Sequence, residues 1–255
     1  MLSRVNAEAG GNAVRTPTLS EGSTIWGTDP DLEAALGITN TLNATSIEFD
    51  LISIANQVQF NYLLASEEYF GINPCQFSDG FVFLIKETGS PLPYQNIALI
   101  PGTGTPVNTN TIHDEIFGVC PAQNDQYFDG YNLGDTNYNG RTVPLTATAT
   151  ITPYVQYHIK LIIADQTDLN YDSAVFIEGK SFNATVDLGE DQLVCGDGTG
   201  VTLDAGNPGS SYTWLYNGTP NGETSQTITP EDPGVYQVQV IDQNGCEGDG
   251  EVTLI

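Results

Sequence analysis

Basic residues are almost missing from this chain. Its 255 residues include 6 Lys and Arg against 32 Asp and Glu, a formal net charge of −26. A surface of that sign repels nucleic acid and anionic lipid and attracts cations, so nucleic acid is not an expected partner. Histidine occurs only at His113 and His158, and no serine or cysteine motif accompanies either, so nucleophilic catalysis has no legible constellation. No apolar run is long enough to span a membrane, so direct membrane insertion is not expected. The opening MLSRVNAEAGGNAV lacks the apolar core of a signal peptide. An extracellular protein should have one, so the N-terminus is expected to be truncated and the chain to be a piece of something longer. None of the four cysteines stands in a CxxC and no histidine neighbours one, which argues against zinc. The glycine-rich PGTGTPVNTNT at 101–111 lacks the lysine and the following helix of a phosphate-binding loop.

What the chain does have is alternation. SIEFDLISI, QVQFNYLLA and VPLTATATIT alternate with a period near two, YHIKLIIA reads as a core strand and SAVFI as a further strand, separated by Gly, Pro, Asn and Asp. The one helix signal is DPDLEAAL at Asp29–Leu36: Asp29 as cap, Pro30 at the first position and Glu33 near the first turn, for two turns at most. Near Val186 the texture changes, and Asp187–Ile255 has no Lys or Arg at all. There Trp214 lies between Cys195 and Cys246, and Tyr236 follows a turn at Asp232-Pro233-Gly234, which is immunoglobulin-like logic, although the Tyr-to-Cys spacing differs from antibody domains. The expected fold is all-β: a large jelly-roll or lectin-like β-sandwich over residues 1–185, then a small immunoglobulin-like β-sandwich over 186–255.

Two stretches carry the candidate chemistry. Tyr62–Leu84 reads as a hairpin whose loop holds Glu67, Glu68 and Asp79, and Ala164–Phe176 has the same strand, acidic loop, strand form. As neighbours in one sheet they would gather carboxylates at one rim. Calcium takes six to eight oxygen ligands from such loops, so Glu67, Glu68, Asp79, Asp165, Asp168 and Asp172 are the candidate metal ligands. The spacing is not that of an EF-hand. A strand would point Glu67 and Glu68 to opposite faces, so only one would reach a given ion. The bland reading is a set of turn residues capping backbone N–H groups, with Asp172 a buried structural acid. Glycoside hydrolysis needs two opposed carboxylates, but no pattern marks one as a raised-pKa acid, so an enzyme is not expected. Four cysteines permit three connectivities; sequence separation favours Cys75–Cys120 and Cys195–Cys246. The loop Asp125–Arg141 is either plain surface or a ligand loop presenting Tyr127, Phe128, Tyr131 and Tyr138.

LEAAL at Leu32, ATSIEFD at Ala44, FNYLLASEEY at Phe60, NIALIPGTGTPVNTNTI at Asn96 and YHIKLIIADQTDLNYDSAVFIEGKSF at Tyr157 resemble, in order, the choice-of-anchor L domain of secreted bacterial surface proteins. VDLGEDQLVCGDGTGVTLDAGNPGSSYTWLYNG and GVYQVQVIDQNGCEGDGEVTL resemble the immunoglobulin- or PKD-like repeat modules of Bacteroidetes adhesins. Such modules occur in large proteins exported by the type IX route, including gliding adhesins. The resemblance implies extracellular, cell-surface display and a non-catalytic adhesin segment. The resemblance does not identify a ligand; the leading reading is an adhesin segment that binds a surface, a glycan or a protein beside neighbouring domains of the same chain, with calcium, expected from the oxygen donors of the acidic loops, stabilising those loops. The alternatives are a structural stalk or filament module and a carbohydrate-active enzyme.

Overall fold

The computed structural model describes residues 2–3, 19–20, 22–23, 25–133, 136–179, 181, 183–193, 200–243, 245 and 247–255. Its elements in order are β1 (Leu2–Ser3), α1 (Pro30–Leu36), β2 (Thr41–Ile52), β3 (Gln57–Ser66), β4 (Gly80–Glu87), β5 (Gln95–Asn96), β6 (Phe128–Tyr131), β7 (Gly140–Thr142), β8 (Leu145–Thr150) and β9 (Gln156–Gln166). There follow β10 (Ser173–Ile177), β11 (Asn183–Thr185), β12 (Leu203–Asp204), β13 (Ser211–Tyr216), β14 (Thr219–Pro220), β15 (Thr227–Ile228), β16 (Gly234–Ile241) and β17 (Glu247–Leu254). Among the described residues the structure is all-β, with several antiparallel sheets, one short α-helix and two single-turn 3-10 segments at Asn73–Cys75 and Asp125–Tyr127. It divides into two compact units: Met1–Asp50, Phe60–Ala147 and Tyr157–Ser181 form the first, and Leu51–Gln59, Thr148–Gln156 and Phe182–Ile255 the second.

In the first unit, one sheet has the order β2-β9-β4-β5. The other is built on β3, which pairs with β10 and β7, while β1 pairs with β10 and β6 with β7. The two sheets meet through aromatic side chains. Phe60 and Tyr62 on β3 lie 4.8 Å from Phe83 on β4, and Tyr62 lies 5.5 Å from Phe81. Alternation sends Phe81 and Phe83 inward, leaving Val82 and Leu84 on the outer face. There α1 covers them: Leu32 joins Val82, Leu84, Ile162 and Ala164 in one buried cluster. This double cover explains why β4 reads as a nearly continuous apolar run.

The helix starts where the sequence places it. Asp29 accepts from the backbone N–H groups of Asp31 and Leu32, Pro30 opens the first turn, and Gly37 closes the helix in the left-handed region at φ 66°. The second oxygen of Asp29 lies 2.7 Å from Lys160 Nζ, which Asp31 and Glu48 also approach at 2.9 and 3.4 Å. One lysine on β9 thus ties the helix cap to the sheet, beside Glu48 of the neighbouring β2. Desolvation by burial works to lower its ammonium, but the hydrogen bonds and charges of Asp29 and Asp31 outweigh it and hold it above the ordinary lysine range.

In the second unit, β13, β16 and β17 form an antiparallel sheet with β14 at its edge, and β11 joins β17 in parallel. β12 and β15 form a separate pair. Both sets contribute to one core around the fully buried Trp214, which includes Leu203, Ile228, Val238, Val240 and Val252. Trp214 Nε1 donates to Ser225 O at 2.8 Å, and the Tyr236 hydroxyl donates to Asp232 O at 2.9 Å. Both polar tips are therefore satisfied inside an apolar core.

Candidate functional site

Tyr62–Leu84 is not a hairpin. β3 and β4 lie in different sheets, and so do β9 and β10. Each acidic stretch is an arch that crosses from one sheet to the other. The partners are exchanged between arches: β3 pairs with β10 and β4 with β9. The expected single sheet is corrected to two, and the reason is packing. A hairpin would put Tyr62 and Phe81 side by side in one sheet, whereas the arch stacks them across the core.

The register then sets the acids. Gly80 stands opposite Ala164 and Ser66 opposite Ser173, so Asp79 neighbours Asp165 and Glu67 neighbours Asp172 at the same end of the unit. Glu67 N–H donates to Asp172 O at 3.0 Å. Asn43 Nδ2 donates to Asp165 Oδ2 at 2.7 Å, and Asn139 Nδ2 donates to Glu67 O at 2.8 Å. Glu67, Glu68, Asp79, Asp165 and Asp172 are all buried, while Asp168 is exposed. Glu67 and Glu68 follow the end of β3, so strand alternation does not separate them and both lie inside.

Glu68 is the chemically distinctive member. Its Oε2 accepts from Asp79 N–H at 3.1 Å, and the Thr109 hydroxyl lies at the same distance. Burial raises its carboxyl from the usual 4.5 to about 7; the hydrogen bonds from Thr109 and Asp79 oppose this, and repulsion from Asp168 and Asp165 adds to it. Among the described residues, no group of three or more His, Cys, Asp and Glu side chains is arranged to hold a metal ion. What the carboxylates visibly do is accept hydrogen bonds: Glu68 from Asp79 N–H and the Thr109 hydroxyl, Asp165 from Asn43 on β2, and Asp168 from Asn170 N–H.

Cys75 and Cys120 form a disulfide, with Cα atoms 6.0 Å apart. It ties the first arch to the segment before β6. Asn110 reinforces the tie by donating to Pro74 O and Phe77 O at 2.7 and 2.8 Å. The Cys195–Cys246 pairing lies outside the described residues.

The aromatic loop divides. Tyr138 is buried with Ala65 and Ala174 against Phe176, and Phe128 packs 4.9 Å from Tyr69. That leaves Tyr127, half-buried, and Tyr131, exposed, to present a surface. The histidines are apart: His113 is buried with Nδ1 2.7 Å from Asp114 O, and His158 on β9 sits 2.9 Å from Asp50. Sequence reasoning missed Gly140 and Tyr69. A Cβ at Gly140 would stand 2.6 Å from Tyr69 Cβ, and the Tyr69 hydroxyl donates to Ile112 O at 2.8 Å. The Asn-Gly pair before Arg141 was visible but did not reveal which side chain lay over it.

These features define an all-β module with two acidic arches at one end, the first of them tied by a disulfide. The choice-of-anchor L domain family matches residues 1–183, and the chain belongs to that family. No curated protein matches the chain. No helix among the described residues is long and apolar enough to cross a membrane.

Proposed function

We propose that this chain is a non-catalytic binding module of a secreted cell-surface adhesin. The observation that supports it best is the Cys75–Cys120 disulfide, a bond that persists in oxidising, extracytoplasmic compartments. It holds two surface loops in fixed relation, as a binding surface needs. In this reading the facing sheets of the first unit are a jelly-roll or lectin-like sandwich and the second unit is immunoglobulin-like. The second assignment is favoured by the buried Trp214 and by a Tyr236 hydroxyl bound to backbone four residues upstream. Export by the type IX route and a part in gliding belong to the same proposal and rest on sequence resemblance. Calcium enters as a counter-ion that relieves repulsion between Glu68, Asp165 and Asp168. The test is antibody labelling of intact cells together with glycan and protein arrays probed with and without calcium. Absence from the cell surface, or hydrolysis of an arrayed glycan, overturns the proposal.

A second reading, a stalk module that only spaces other domains, is favoured by the burial of Phe128 and Tyr138. It predicts blank arrays from a protein that nevertheless labels the cell surface.

A further inference from the structure

The two loops joined by the disulfide carry an unusual set of exposed apolar side chains. Phe70, Ile72 and Phe77 on the first arch are each 44–56% exposed, as is Val119, and Phe117 is 93% exposed. Scattered exposed apolar residues are ordinary, but these five fall within a few residues of Cys75 or Cys120, which are bonded to each other.

Their display is fixed by the backbone. Ile116 N–H donates to Cys120 O at 3.0 Å, and Val119 N–H donates to Ile116 O at 2.9 Å, closing a tight turn. Gly118 takes φ 76° at its third position, the left-handed value such a turn requires. Phe117 is thereby held at the tip, three residues from the disulfide. Phe70 is braced by stacking on Tyr171 at 6.4 Å. Little ordering cost remains for a partner that covers these rings.

The surroundings set the sign of that partner. Asp114 and Glu115 are exposed immediately before the turn, and no Lys or Arg occurs between Lys86 and Arg141. A second copy would bring another −26 and be repelled, and so would an anionic bilayer. Phenylalanine, isoleucine and valine bring no hydroxyl or amide for the polar recognition a sugar needs, but they suit apolar side chains.

We propose that the Phe117 turn and the first arch form a docking surface for a polypeptide segment carrying apolar side chains together with Lys or Arg. This rests on the binding-module reading above and supplies its site. The test uses fluorescence anisotropy of the full chain with three labelled peptides of equal length: leucine with lysine, leucine with glutamate, and serine with lysine. At physiological salt the leucine–lysine peptide binds, and the other two bind at least about tenfold more weakly. Phe117→Ser with Val119→Ser lowers that affinity about tenfold, Asp114→Asn with Glu115→Gln lowers it by a smaller factor, and Leu92→Ser, an exposed apolar site elsewhere, leaves it unchanged. Unchanged melting temperatures verify that the variants fold.

Equal binding of the serine–lysine peptide, or indifference to Phe117→Ser with Val119→Ser, overturns the proposal. So does Phe117-dependent binding to zwitterionic vesicles or Phe117-dependent self-association without peptide binding, which would assign the surface to lipid or to a second copy. If these variants still bind an arrayed ligand with wild-type affinity, the module binds elsewhere and only this site fails.

Discussion

Replacing Glu68 with Gln should remove a pH dependence that the wild-type chain carries. The Glu68 carboxyl has an ordinary value of 4.5 unfolded and is raised to about 7 by burial when folded. The folded state therefore binds the extra proton between these values, so the contribution of Glu68 to stability is full below pH 4.5, falls as pH climbs, and is flat again above 7. A gap of about 2.5 pH units at roughly 1.4 kcal/mol per unit amounts to about 3–4 kcal/mol over the full range. The amide oxygen of Gln can still accept from Asp79 N–H and Thr109, and the amide carries no charge to repel Asp165 and Asp168. The assay is urea unfolding without reductant at pH 5 and pH 8, followed by Trp26 fluorescence in a Trp214→Phe background so that the signal comes from the first unit. Between the two pH values the chain with Glu68 intact should lose about 2–3 kcal/mol more stability than the Glu68→Gln variant does. A Glu68→Gln chain that keeps the wild-type pH slope, or is less stable than wild type at pH 8, would show that the carboxylate is needed in its charged form and would refute the reasoning.

On the calcium proposal, thermal melting should rise with calcium and fall with EDTA, with magnesium less effective, because a cation held by the folded arches alone would stabilise them; indifference to both leaves the acids a purely structural role. Removing the Cys75–Cys120 bridge by paired Cys→Ser substitution opens a loop of sequence separation 45, for a loss of about 4 kcal/mol on the chain-entropy estimate, measured by urea unfolding. Gly140→Ala drives a methyl group into Tyr69 and should cost about 1–3 kcal/mol in the same assay. Tyr62→Phe should be neutral or stabilising by up to about 1 kcal/mol, since its buried hydroxyl has no hydrogen-bond partner among the described residues.

Local pattern fixed much of this molecule without help. The strict alternation of VPLTATATIT gives β8, and Asp29-Pro30 starts the helix, because capping and period-two burial act between residues close in the chain. Glu68, Asp79 and Asp165 do come to one end, but by two arches between sheets and not by the single sheet expected. Tertiary structure alone decided that β3 and β4 belong to opposite sheets. Periodicity says which residues share a face, but not which distant strand supplies the hydrogen-bond partner, and an arch and a hairpin have the same alternation. The same limit hid the burial of Phe128 and Tyr138, whose cover comes from Tyr69 and Phe176, and the raised carboxyl of Glu68, which depends on how completely the arches exclude water. It also hid the exposed Phe117 turn, since an apolar residue flanked by Ile116 and Val119 reads as core until the disulfide shows which way the loop is held.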